Sequence, residues 1–133
     1  MEEDNKMSPR YFKEHICEEL EDASHYLIKA IDCMSHHPEW SKTFIKLSND
    51  EETHATDLYR MFMEMYTTTE NRDRMLESMR DGIMKCFSDN MRRIEDLKAT
   101  YGLMEHKAET NNYIPPKTVT APQESSTMKA ISN

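Results

Sequence analysis

The sequence predicts an all-α protein: an antiparallel helical hairpin, then a long third helix, in a bundle that a second copy of the chain completes. Three observations lead there. Only two glycines and five prolines interrupt 133 residues rich in Glu, Lys, Met and Leu, a composition that favours long helices over sheet. No window alternates apolar and polar residues as a half-buried strand requires. Apolar residues instead recur by threes and fours along three long stretches. The length suits one domain with its own core and is short for two.

Residues 1–8 read as a short, acidic, flexible lead, and residues 9–107 as the helical domain. Ser8-Pro9 is a helix start, with a side-chain oxygen to cap and a proline at the first helical position. Ile16, Leu20, Ala23, Leu27, Ala30 and Met34 then form an unbroken seam. The first helix is expected to stop near Ser35-His36-His37, with Pro38 opening a second that runs to about Tyr66. So short a connection makes the two antiparallel neighbours, and facing positions then have numbers summing to about 73.

Thr67 and Glu70 match a capping box, which predicts the start of the third helix there. Its buried side is expected to carry Leu76, Met79, Ile83, Phe87, Met91, Ile94, Leu97 and Tyr101. Gly82 falls inside this helix and either permits close approach of a neighbour or marks a bend. Gly102 is the expected stop, with a frayed extension through His106. Residues 108–133, with Asn-Asn, Pro115-Pro116, Pro122 and Ser125-Ser126, read as a disordered or extended tail suited to docking on a partner or a compartment shell.

Charge and cysteine content narrow the function. A net charge of −8 argues against nucleic acid as a partner, because phosphate binding needs a basic footprint. No apolar run approaches the roughly 18 residues of a membrane span, and the Met-Glu-Glu-Asp-Asn start is unlike a basic signal peptide. Cys17, Cys33 and Cys86 are widely spaced and lack any CxxC, so they read as reduced thiols in a cytoplasmic setting, or inside a protein compartment or particle. Twelve methionines at helical spacing are gap-fillers of a core.

The chemistry concentrates in Asn49 to Leu58. On the second helix Phe44, Leu47, Leu58, Met61 and Met65 form an apolar stripe whose continuation lands on Glu51 and His54. A carboxylate on a buried stripe needs a partner, either a hydrogen-bonded polar network or a metal ion. Glu-x-x-His alone is weak: with sixteen Glu and six His, chance supplies such a pair at roughly even odds. Glu19 strengthens it, because the hairpin arithmetic puts Glu19 level with His54. One Glu facing a Glu-x-x-His is half of a di-metal carboxylate site, and two copies across a two-fold axis supply the whole. Cys33, His36 and His37 are too few for a closed zinc site.

Glu18-Glu19-Leu20-Glu21 with Tyr26, followed by Asp50-Glu51-Glu52-x-His54-Ala55, resembles the encapsulated ferritins and the wider ferritin-like and rubrerythrin group, over roughly residues 12–66. The resemblance implies a two-helix unit that dimerises to build a ferroxidase site. It implies Glu19, Glu51 and His54 as ligands, Tyr26 as a flanking aromatic, and two iron ions per dimer interface, with manganese compatible. The expected activity is oxidation of Fe(II) by O₂ in a homodimer or larger homo-oligomer. The alternative is a metal-free helical scaffold or virion component with a degenerate ferritin-like hairpin.

Overall fold

A computed structural model describes residues 8–110, and among these the regular structure is entirely helical: α1 (Pro9–Cys33), α2 (Pro38–Thr68) and α3 (Arg74–Thr110). None of these helices is long and apolar enough to cross a membrane. The acidic lead, save Ser8, and the Pro-containing tail beyond Thr110 lie outside the described residues, and with them the expected docking role of the tail.

The first helix begins where its sequence says it should. The Ser8 hydroxyl accepts a hydrogen bond from the Tyr11 N–H at 3.3 Å, satisfying one of the free amides of the first turn, and Pro9 needs no such partner. Phe12, Ile16, Leu20, Ala23, Leu27 and Ala30 are buried, the four-and-three alternation of a packing seam. After Cys33, its carbonyl accepts from the amides of His36 and His37, and Pro38 restarts the chain.

The seam on α2 is not the stripe of large residues. It consists of Ser41, Ser48, Ala55 and Phe62, seven apart and all buried. The Ser41 hydroxyl donates to the Ala30 carbonyl at 2.6 Å and the Ser48 hydroxyl to the Ala23 carbonyl at 2.8 Å. The Phe12 and Phe62 rings meet at 5.8 Å. As numbers fall along α1 they rise along α2. Small side chains at this seam let the backbones approach, and the hydroxyls reach carbonyls of the facing helix. The expected stripe lies one flank over, where Leu47 and Met61 remain 36% and 38% exposed.

The third helix starts later than the capping box suggested. The Thr68 and Thr69 hydroxyls donate back to the carbonyls of Glu64 and Met65, so these threonines close α2 and do not open α3. Asn71, at φ 56°, turns the chain in the left-handed region that Asn tolerates. The Arg72 guanidinium donates to the Tyr66 and Thr69 carbonyls, and the Asp73 carboxylate accepts from the Leu76 N–H at 2.8 Å as the actual cap. Gly102 does not stop α3, which continues to Thr110.

Ile83 and Ile94 of α3 are fully buried, and Leu76, Phe87, Met91 and Leu97 pack partly against the core. Phe87 stacks on Tyr59 at 4.1 Å, and Lys98 reaches the Glu52 carboxylate at 2.7 Å. Gly82 lies beside Lys13: a Cβ there would stand 3.6 Å from the Lys13 ammonium nitrogen. Cys17 and Cys86 form a disulfide between α1 and α3, Cα atoms 6.2 Å apart, and Cys33 is free. The expectation of three reduced thiols is corrected accordingly. It rested on the missing CxxC, and two cysteines far apart in sequence carry no spacing signal.

Candidate metal centre

The seam on α2 divides that helix into two flanks, since each residue turns about 100° from the last. Glu52 and Tyr59 lie on one flank and touch α3. Glu51, His54 and Leu58 lie on the other. On α1, Lys13 and Cys17 face α3, while Glu19 and Tyr26 take the opposite side, where Tyr26 stacks on Phe44 at 6.1 Å. The groove between α1 and α2 away from α3 therefore collects Glu19, Glu51 and His54.

There they converge. One ligand atom from each lies within 4.8 Å of the other two, and no other group of three or more His, Cys, Asp or Glu among the described residues does this. The His54 Nδ1 is 3.5 Å from Oε1 of Glu19 and 3.5 Å from Oε1 of Glu51. The two carboxylates are three-quarters buried, and the imidazole at the rim is 58% exposed. His54 thus sits at the edge of the groove, not on a buried stripe as the periodicity implied.

The electrostatics follow from crowding. Sharing a hydrogen bond with Glu19 raises the Glu51 carboxyl above its ordinary value, with desolvation and the Glu19 charge adding to it, against the pull of His54. Desolvation draws the His54 imidazole down, yet its contacts with Glu19 and then Glu51 outweigh this and leave it raised. The Oε1 atom of Glu19 is buried with no hydrogen-bond partner. Whether it gains one depends on a proton at Glu51 or His54; a cation would satisfy it directly. Two carboxylate oxygens and an imidazole nitrogen, one of the oxygens orphaned, are donors suited to a divalent metal ion.

Tyr26 does not join the cluster. Seven residues from Glu19, it lies about 10 Å along the helix axis and packs on Phe44. At the α1–α2 turn the zinc-like trio is dispersed: His37 stacks on Trp40 at 3.9 Å and His36 meets the Ser35 hydroxyl at 3.1 Å. On α3, Gly82 and Cys86 lie beside Lys13 and Cys17 of α1, and the α3 side chain that reaches Glu52, next to Glu51, is Lys98. Sequence reasoning missed the Lys98–Glu52 pair, which charge alone could not single out among so many acidic residues. No family model, curated protein or solved structure matches the chain.

Proposed function

We propose that this chain is a ferritin-like di-iron protein that binds Fe(II) at Glu19, Glu51 and His54 and oxidises it with O₂. The convergence of these three side chains around an orphaned carboxylate oxygen carries the reading. Iron is the substrate. Glu51 bridges two ions, Glu19 binds one terminally, and His54 contributes one ring nitrogen, while hard carboxylate oxygens favour the Fe(III) product. Manganese suits the same donors.

Three ligands from one chain are half of such a site, and an antiparallel α1–α2 hairpin paired with its copy supplies the rest. The open flank supports this pairing. Leu47 and Met61, more than a third exposed, bracket Glu51 and His54 on the same face of α2, and Trp40 is 59% exposed one turn beyond Phe44. Exposed apolar side chains flanking a polar centre on one helix face suit a protein interface.

One observation favours a second reading, a metal-free helical scaffold. A protonated His54, together with a proton shared between Glu19 and Glu51, would balance the cluster without any ion. Anaerobic titration of the chain with Fe(II), followed by air, separates the two. The wild type should take up iron and develop ferric absorbance faster than buffer, and Glu51→Ala should do neither. No uptake by the folded wild type would overturn the di-iron reading in favour of the scaffold.

A further inference from the structure

The metal reading leaves one reactive pair unused, Cys17 on α1 and Cys86 on α3, on the side of the molecule opposite the carboxylate groove. We propose that Cys17 and Cys86 are a redox-active thiol site that reduces a small hydroperoxide and is reset by a dithiol reductant. The inference is independent of whether Glu19, Glu51 and His54 bind metal.

Three observations carry it. The sulfurs are bonded, with Cα atoms 6.2 Å apart, a span that a disulfide bridges without moving the backbone. Both residues are partly exposed, as access by a molecule the size of hydrogen peroxide requires. The groups around them distinguish the two sulfurs. The Asn90 side-chain amide is anchored on the Cys86 carbonyl at 2.8 Å and donates to the Cys86 sulfur at 3.5 Å. One turn earlier, Gly82 has no side chain to displace the Lys13 ammonium, which lies in the same α1–α3 groove. A hydrogen-bond donor on the Cys86 sulfur favours the thiolate, the reactive form of cysteine, and a cation one helical turn along adds positive charge to that side of α3. Lys85, by contrast, is engaged with Asp89 at 2.8 Å on the outer face.

The chemistry balances with these two residues. The Cys86 thiolate attacks one peroxide oxygen, the O–O bond breaks, and Cys86 becomes a sulfenic acid as the first water leaves. The Cys17 sulfur then displaces the hydroxyl from the Cys86 sulfur, forming the S–S bond and releasing the second water. The sulfurs have given up two electrons, and both thiol protons end in water. A dithiol returns the electrons by exchange, itself becoming a disulfide. Cys33 does not compete, because burial pushes its thiol up and keeps it protonated.

The test uses the full chain, reduced with dithiothreitol, freed of reductant under argon, and treated with about one equivalent of hydrogen peroxide before alkylation in denaturant. The expected product has one alkylatable thiol, at Cys33, and a Cys17–Cys86 linked peptide, and dithiothreitol restores all three thiols in the folded protein. In Cys17→Ser, dimedone should label Cys86; Cys86→Ser should react at least about tenfold more slowly with peroxide. Three thiols surviving peroxide would overturn the proposal, as would a linkage through Cys33, a bond that dithiothreitol cannot reopen without unfolding, or equal peroxide rates in the two variants.

Discussion

The His54 imidazole holds its Nδ1 3.5 Å from Glu19 on the neighbouring helix, the same separation it keeps from Glu51 on its own. One nitrogen cannot donate well to two carboxylates at once. The cluster is therefore short of positive charge, and either protons or a cation must supply it.

This makes stability depend on pH with a definite sign. Glu51 and His54 both titrate above their ordinary values, 4.5 and 6.5, so the folded chain favours their protonated forms. Their stabilising contribution is full below the ordinary values and is lost as pH rises through the raised ones, Glu51 first and His54 second. The metal-free chain should thus lose urea resistance as pH rises above 4.5 and again above 6.5, relative to a Glu51→Gln, His54→Gln double variant. Added Mn(II) should restore the wild type more at the higher pH, because metal binding there displaces fewer protons. Wild type and variant changing in parallel would show that the cluster is not the source.

How much of this was legible beforehand differs by element. The α1 seam from Ile16 to Ala30, the Ser8-Pro9 start and the Pro38 restart could all be read, because each is a local pattern with one physical meaning. Glu19 could be matched to His54 because a short connection leaves little freedom of register. The α2 seam could not. That helix carries two heptad stripes, one of large residues through Leu47 and Met61 and one of Ser41, Ser48 and Ala55, and hydrophobicity favours the wrong one. Close packing plus two hydroxyl-to-carbonyl bonds decided for the small one, which no single-helix pattern reveals. The Thr67–Glu70 box failed for a similar reason: Asp73 and Arg72 made a better end once Asn71 had turned the chain.

The seam makes its own prediction. Ala55 is fully buried where α1 and α2 approach. Ala55→Leu should cost about 1 to 3 kcal/mol by overpacking, although Leu is the better core residue by hydrophobicity. Ser48→Ala loses only the bond to the Ala23 carbonyl, about 1 kcal/mol. Urea denaturation orders the two, and a stabilised Ala55→Leu would mean that the helices do not meet through small residues.

The open flank is tested by charge. Leu47 and Met61 are more than a third exposed, and a lysine at either can keep its stem on the helix surface and its ammonium in water, so Leu47→Lys or Met61→Lys should cost the single chain no more than about 1 kcal/mol. If a second copy covers that face, a lysine there buries an unpaired charge, and the chain should fall from dimer to monomer by light scattering. Iron uptake should fall with it. A wild type that is monomeric at high concentration, yet takes up iron, would confine the site to one chain.

Reduction of the Cys17–Cys86 bond should loosen α3 before anything else. The bond joins residues 69 apart, and a loop of that size restricts the unfolded chain by about 4 kcal/mol in the chain-entropy account. For roughly a hundred helical residues, that is a fall in Tm of roughly 15 to 20 °C on adding dithiothreitol. The effect should be uneven. The α1–α2 pair keeps its seam of Phe12, Ile16, Leu20, Ala23, Leu27 and Ala30 against Ser41, Ser48, Ala55 and Phe62, whereas α3 has only Ile83 and Ile94 fully buried. Hydrogen exchange should therefore quicken in α3 well before α1 and α2. Cys17→Ser should reproduce both changes, while Cys33→Ser, which breaks no cross-link, should leave the pattern of the oxidised protein. Equal quickening in all three helices would mean that α3 belongs to the same cooperative unit as the pair, and that its attachment does not depend on the disulfide.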